Sequence, residues 1–457
     1  MKPTVRLRRT GRVLPPGRRS YDRPPRRCVA TSMMLLSTMV VAAALGCRPD
    51  EAAIKGPTAD QASDQASPGA AQADVIDRLR ALPYVDFSQN SVDDQRDGVI
   101  RHDPDRSYSG YNLYTLRRIC RADLIDQAGQ VIRSWHRPGM YWEHGQLLPN
   151  GDFLVVGADR SQVSDQEPVD DQRYLLRLSW DDRVVWKHNL RVHHDVTVTP
   201  GGQLLTLGLE YRQVPEIHAE IPVRDDQIML LSSTGQVEET CSLYDAMSGR
   251  PELFQFQKVG PYRRWRRWMV DLFHANSVQW MPHPDLTDRH PLYASDNVLV
   301  CIRHQDTVAI INWTQKKLVW AWGQGELSGP HDASFLPNGH LLVFDNGLGR
   351  NWSRIIELDP VSRKIVWQYQ ADPRTDFYTK GQGGNQRLPN GNTLITDSDS
   401  GRAFEITTEG EIVWEFLTPH RGRQGNRATI ARVDRYEREY VQRILDRTDE
   451  ADRAGRD

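Results

Sequence analysis

His331 stands six residues before the proline of a Leu336-Pro-Asn-Gly339 turn, and His194 stands six residues before Pro200 in His193-His194-Asp195-Val196-Thr197. Each is followed by Asp, so His-Asp occurs twice at one place relative to a hairpin turn. His274, in Phe273-His274-Ala275-Asn276-Ser277, lies where another hairpin's first strand should begin. Arg303 ends the apolar run Asn297-Val-Leu-Val-Cys-Ile302 and is costly to bury unpaired, so it is expected to face an anion or a carboxylate. Imidazolium and guanidinium groups hold sulfate or phosphate oxygens, while a neutral imidazole serves as nucleophile or base. A three-histidine metal site is the competing chemistry. Arg303 counts against it, because it would repel a cation. Asp332 could orient His331 or point away from it.

These residues need a scaffold that brings distant segments together, and the chain repeats in a way that supplies one. Outer strands ending in Trp occur at Trp135, Trp186, Trp320, Trp367 and Trp414, the last three spaced by 47 residues. Between them lie hairpins around Pro-x-Gly turns: Leu148-Pro-Asn-Gly151, Thr199-Pro-Gly-Gly202, Leu336-Pro-Asn-Gly339 and Leu388-Pro-Asn-Gly391. Asn-Gly and Gly-Gly provide the positive φ that a tight hairpin demands. The long gap between Trp186 and Trp320 has room for two enlarged repeats, with Leu230–Val237 as an outer strand that lacks Trp. The count is six repeats of about four strands each, which predicts an all-β, six-bladed β-propeller with short helical insertions and a C-terminal helix. In a propeller the innermost strands line a channel, and equivalent positions of different blades converge at its mouth. The comparable residues of the flanking blades are Glu143 and His144 on one side and Gly383 to Asn385 on the other. The repeated Trp and turn Gly residues read as scaffold.

The organisation expected is a leader over residues 1–47, a tether and surface strap over 48–110, the propeller over 111–425, and a helical tail over 426–457. Thr429–Leu445 has near-helical apolar spacing, although its start could be a strand that closes the ring. Asp74 to Leu82 fits a short helix stopped by Pro83. The insertion Tyr262-Arg-Arg-Trp-Arg-Arg-Trp268-Met269 reads either as an aromatic, basic lid or as an amphipathic surface helix. Residues 1–46 hold a charge of +9 and the remainder about −11, so the body is a poor candidate for nucleic acid. The basic start, the apolar Met33–Leu45 stretch and Ala44-Leu45-Gly46-Cys47 resemble a bacterial lipobox. That implies lipidation at Cys47, export, a periplasmic or cell-envelope location and a membrane tie through the lipid. With Cys28 and Cys47 set aside, Cys120, Cys241 and Cys301 form neither a disulfide framework nor a zinc spacing.

The outer-strand Trp repeats, the Leu-Pro-Asn-Gly turns, His274-Ala-Asn276, Arg303-His-Gln305 and Pro330-His331-Asp-Ala…Phe344-Asp-Asn346-Gly347 together resemble the bacterial arylsulfate sulfotransferase family over roughly residues 110–420. The resemblance implies a six-bladed propeller that moves a sulfuryl group from a phenolic sulfate ester to a phenol by a ping-pong route. It implies no nucleotide sulfate donor and no other cofactor. His331 would be the nucleophile that becomes sulfohistidine, and His194, His274, Asn276 and Arg303 would hold the sulfuryl oxygens. The chain departs from the family in having no cysteine between Trp313 and Pro330, where members carry a close pair. Residues 48–110 are also too short and polar for the family's N-terminal β-sandwich. The alternatives are a propeller that binds a ligand or protein without chemistry, and a metal-dependent enzyme built on the three histidines.

Overall fold

The structure is a computed structural model, and it describes residues 84–88, 94–137, 140–159, 170–264 and 267–454. The expected leader with Cys47, the tether, and the Asp74–Leu82 helix lie outside the described residues. Among the described residues no helix is long and apolar enough to cross a membrane.

Each Pro-x-Gly turn closes in the same way. Leu336 N–H donates to His340 O at 2.8 Å and Gly339 N–H to Leu336 O at 2.8 Å, with Gly339 at φ +89°. A Cβ on Gly339 would also stand 2.8 Å from the Tyr293 ring, so only glycine fits there. From these turns grow six antiparallel sheets, numbered here from the first complete one. Blade 1 comprises Met140–Leu147, Phe153–Asp159, Arg173–Leu178 and Val184–Asn189. Blade 2 comprises Val192–Val198, Leu204–Arg212, Val223–Leu231 and Val237–Ser242. Blades 3 and 4 begin with Ala275–Trp280 and His331–Phe335, and blade 5 with Gly384–Arg387.

Blade 6 closes the ring. Its innermost strand, Ile430–Glu437, comes from near the C-terminus and pairs with Gly110–Leu116 from the other end of the chain. The propeller therefore runs past the expected limit at 425, and the near-helical spacing of Thr429–Leu445 is shared by two elements. Its first half takes the ladder offered by Gly110–Leu116, which pairs its backbone and covers the inner edge of that strand. The helix follows as Arg438–Ala454 and packs Val441 and Ile444 into the core between blades 6 and 1. Gly98–His102, expected as strap, adds a fifth strand to blade 5 along Ile412–Leu417.

Six apolar clusters lie between the six pairs of neighbouring blades. The outer-strand tryptophans pin these junctions. Trp135, Trp320, Trp367 and Trp414 donate their indole N–H groups to Ser179 O, Pro360 O, Thr408 O and Gln127 O, each on the next blade, at 3.0–3.1 Å. The Tyr262–Met269 insertion is a β-hairpin rather than a helix: Tyr262–Arg264 pairs with Arg267–Asp271, which runs parallel beside the third strand of blade 2. Cys120, Cys241 and Cys301 are buried free thiols.

Candidate functional site

The innermost strands of blades 1 to 4 all carry a bulge. Glu143 and His144, His194 and Asp195, Asn276, and Asp332 and Ala333 are the residues left out of register. Bulges re-aim side chains, and here the backbone adds to that effect. His194, His274, Asp332 and Gln382 hold left-handed φ of 61°, 49°, 46° and 60°, a conformation that costs an L-residue energy and persists where the surroundings fix it. The result carries three imidazoles to one point on the axis.

At that point sits a phenol oxygen supplied by the chain itself. Tyr84 Oη lies 3.0 Å from His331 Nε2, 3.0 Å from His274 Nε2 and 3.2 Å from His194 Nε2. Its ring stands edge-on to His194 and His274, with the Arg117 and Arg303 guanidinium groups 5.3 Å and 5.6 Å from its centroid. The expected surface strap thus reaches into the channel mouth.

Each imidazole's other nitrogen fixes its tautomer. His331 Nδ1–H donates to Asn346 Oδ1 at 2.8 Å and Gly329 O at 3.1 Å. The Asn346 amide is itself oriented, donating to Thr379 O and Gln382 O. His331 Nε2 therefore presents a lone pair to the channel, which Gln382 N–H approaches at 3.2 Å. His274 Nδ1–H donates to Asp271 Oδ2 at 2.6 Å, and Asp271 is also held by Arg224 at 3.2 Å and Tyr262 Oη at 3.2 Å. His193 Nε2–H donates to Gly208 O, so its Nδ1 accepts from His194 Nδ1–H at 2.7 Å. Three Nε2 lone pairs thus face one hydroxyl, whose single proton can satisfy only one of them.

Burial, and then the charge of Arg303, holds the His331 pKa down to about 3, so its imidazole is neutral. Burial likewise holds His194 and His274 well below the ordinary histidine range, against the pull of Glu143 and Asp271 respectively. Burial also raises the Tyr84 phenol, which stays protonated. Glu143 accepts the backbone N–H of His194 and pairs with Arg173 at 3.5 Å; burial opposes its charge, but Arg173, Arg117 and that N–H prevail and keep it ionised.

The expected site residues His331, His194, His274 and Arg303 converge. Arg303 is buried, lies against the Tyr84 ring, and donates through Nη1 to His304 Nε2 at 3.0 Å. Asn276 takes another place. Its amide donates to Pro330 O at 2.8 Å and accepts from Asp332 N–H at 3.3 Å, bracketing His331. Asp332 points away from His331, pairing with Arg432 at 2.8 Å and accepting Asn385 N–H at 2.6 Å; burial leads the effects that hold its pKa up to about 6. It belongs to a charged layer beneath the histidines to which every blade contributes. His144 is clasped by Asp195 at 2.6 Å and Asp434 at 2.8 Å. Burial opposes its charge, but these carboxylates prevail and lift it to about 9. Val278 N–H donates to Asp195, and Asn385 and Arg432 complete the ring.

The three histidine Nε2 atoms surround the Tyr84 oxygen at 3.0–3.2 Å. Among the described residues, three potential ligand atoms lie within 4.8 Å of one another only at Asp271, His274 and His304. There Arg224 engages the carboxylate, and His304 Nδ1–H donates to Asp271 O at 2.6 Å.

The fold and site define a six-bladed propeller with a histidine-ringed axial pocket. Residues 170–419 match the family model described as Arylsulfotransferase (ASST), more than half of the chain, and the protein belongs to that family. No curated protein matches the sequence. Similar solved structures include a Bacteroides caccae protein of unknown function, at 14% identity and TM-score 0.45, covering 71% of this chain and 98% of that one. A streptogramin B lyase aligns at 11% identity and TM-score 0.40 over 77% and 97%. Virginiamycin B lyase from Staphylococcus aureus aligns at 8% and 0.37 over 74% and 89%. None of these three bears on the chemistry. Tyr84, Arg117 and Glu143 lie outside the family match, so the strap, blade 6 and blade 1 complete a site whose histidines lie within it.

Proposed function

We propose that the protein transfers a sulfuryl group from an aryl sulfate to a phenol, with His331 as the covalent carrier. The observation that supports this reading is the seated phenol: the lone-pair nitrogen of a neutral, tautomer-locked imidazole faces a phenolic oxygen at 3.0 Å. In the first half-reaction His331 Nε2 attacks sulfur in line, the N–S bond forms and the ester S–O bond breaks. The phenolate leaves, taking a proton from His274 Nε2 when that atom carries one. In the second half a phenol gives its proton to His274 Nε2 and its oxygen attacks sulfur. The N–S bond breaks and neutral His331 returns. Asp271 orients His274 for both roles, as the third member of a nucleophile–base set does.

Sulfuryl transfer resembles phosphoryl transfer in needing mainly in-line positioning and fixed charge. Arg303 supplies that charge, and His194 and His274 add donors if they take up protons with the anion. Asn276 and Asn346 position the nucleophile from either side. The acceptor and donor share one site in turn, which requires ping-pong kinetics. The test is steady-state transfer from 4-nitrophenyl sulfate to a second phenol. Parallel double-reciprocal lines, and no activity in His331→Ala, are expected. Intersecting lines, or an active His331→Ala, would sink the carrier role.

A further inference from the structure

We infer that Tyr84 is itself a sulfuryl acceptor, so that the protein becomes O-sulfated at Tyr84 when a donor is present and no external phenol competes. This rests on the proposed function and adds an acceptor to it. Tyr84 has the chemistry of the acceptor class, and its oxygen already contacts the carrier nitrogen and the base His274.

The seat is built for this ring. A Cβ on Gly381 would stand 2.3 Å from Tyr84 Cδ1, so the ring lies on bare backbone. Downstream, Ser88 N–H donates to Arg427 O at 2.7 Å, Thr429 N–H to Asp86 O at 3.1 Å and Thr429 Oγ1–H to Val85 O at 3.0 Å. Asp86 is paired with Arg118 at 2.5 Å, and Phe87 packs into the cluster between blades 5 and 6. A phenol tethered this way competes with free phenols at high effective concentration. At 3.0 Å from His331 there is no room for sulfur between the atoms, so Tyr84 draws back on its side chain to admit the donor. It then returns to the sulfohistidine.

In the transfer the His331 Nε2–S bond breaks and a Tyr84 Oη–S bond forms, while the phenolic proton passes to His274 Nε2. The net reaction converts aryl sulfate and Tyr84 into free phenol and sulfotyrosine. Arg117 and Arg303, which flank the ring, are placed to neutralise the new sulfate.

The test incubates the full chain with 35S-labelled 4-nitrophenyl sulfate and no other phenol. Nitrophenol release is followed, and the label is then mapped by proteolysis and by alkaline hydrolysis, which preserves sulfotyrosine. The expected result is about one label per chain on the Tyr84 peptide, falling at least tenfold in Tyr84→Phe and in His331→Asn. Tyr84→Phe keeps the ring on Gly381, and its label should remain at His331. Nitrophenol release with no label at Tyr84 would overturn the proposal while leaving sulfuryl transfer standing. Absence of both nitrophenol and label would overturn the two together.

Discussion

The most informative perturbation of His331 as the proposed nucleophile is pH. An ordinary histidine with a pKa of 6.5 goes from about three-quarters neutral at pH 7 to about 3% neutral at pH 5, a loss of about 25-fold in reactive imidazole. Burial and Arg303 hold His331 to about 3, so its neutral fraction at pH 5 stays at about 99%. The donor's charge does not change over this range. Nitrophenolate leaves without needing a proton, so the first half-reaction reads the nucleophile alone. Single-turnover nitrophenol release, quenched in alkali, should therefore vary less than about twofold from pH 7 to pH 5. A fall of 20-fold or more with an apparent pKa of 6–7 would refute the argument. Because the folded pKa lies below the unfolded one, the unfolded state takes up the proton first. Stability is complete above about 6.5 and is lost as pH falls toward 3, by about 2 kcal/mol at pH 5 from this group. Tryptophan fluorescence at each pH separates unfolding from titration.

Arg303→Gln should lower single-turnover nitrophenol release by about 10²–10³, and it should raise the pH at which acid inhibits, since one cause of the depressed His331 pKa is gone. Asp271→Asn removes a buried carboxylate from Arg224 and His274. It should cost about 3–5 kcal/mol in urea unfolding and slow transfer from esters of weakly acidic phenols more than from 4-nitrophenyl sulfate. Trp414→Phe deletes the indole N–H that reaches Gln127 O at 3.0 Å across the junction of blades 5 and 6. It should cost about 1–3 kcal/mol in urea unfolding with site chemistry intact.

The blades were legible because their devices are local: a turn glycine, a terminal Trp and an apolar strand recur at fixed spacing. Those same anchors placed His194 and His331, since counting six back from the turn proline lands in the bulge of blades 1 to 3 and just before that of blade 4. His274 was legible only by analogy. The residue six before its blade's turn proline, Pro282, is Asn276, and His274 reaches the axis from two positions earlier through its left-handed backbone. Asn276 was expected to hold sulfuryl oxygens, but Pro330 O and Asp332 N–H of the next blade take up its amide, and an amide that both donates and accepts does not reveal such partners from spacing. The near-helical spacing of Ile430 onward misled because the pairing that straightens it comes from Gly110–Leu116, at the far end of the chain. Tyr84 was not legible. It sits in a polar segment outside the repeat, and its partners are 110, 190 and 247 residues away. A hint lay in Gly381, which ends no element and whose backbone needs no positive φ, yet leaves space for a ring.

The most direct measurement of the central claim is a rapid acid-free quench of the protein milliseconds after mixing with 4-nitrophenyl sulfate, followed by tandem mass mapping. The account predicts a gain of one SO3 group on the peptide carrying His331, formed as fast as nitrophenol appears and absent in His331→Asn. Nitrophenol release with His331 unmodified at every early time would contradict it.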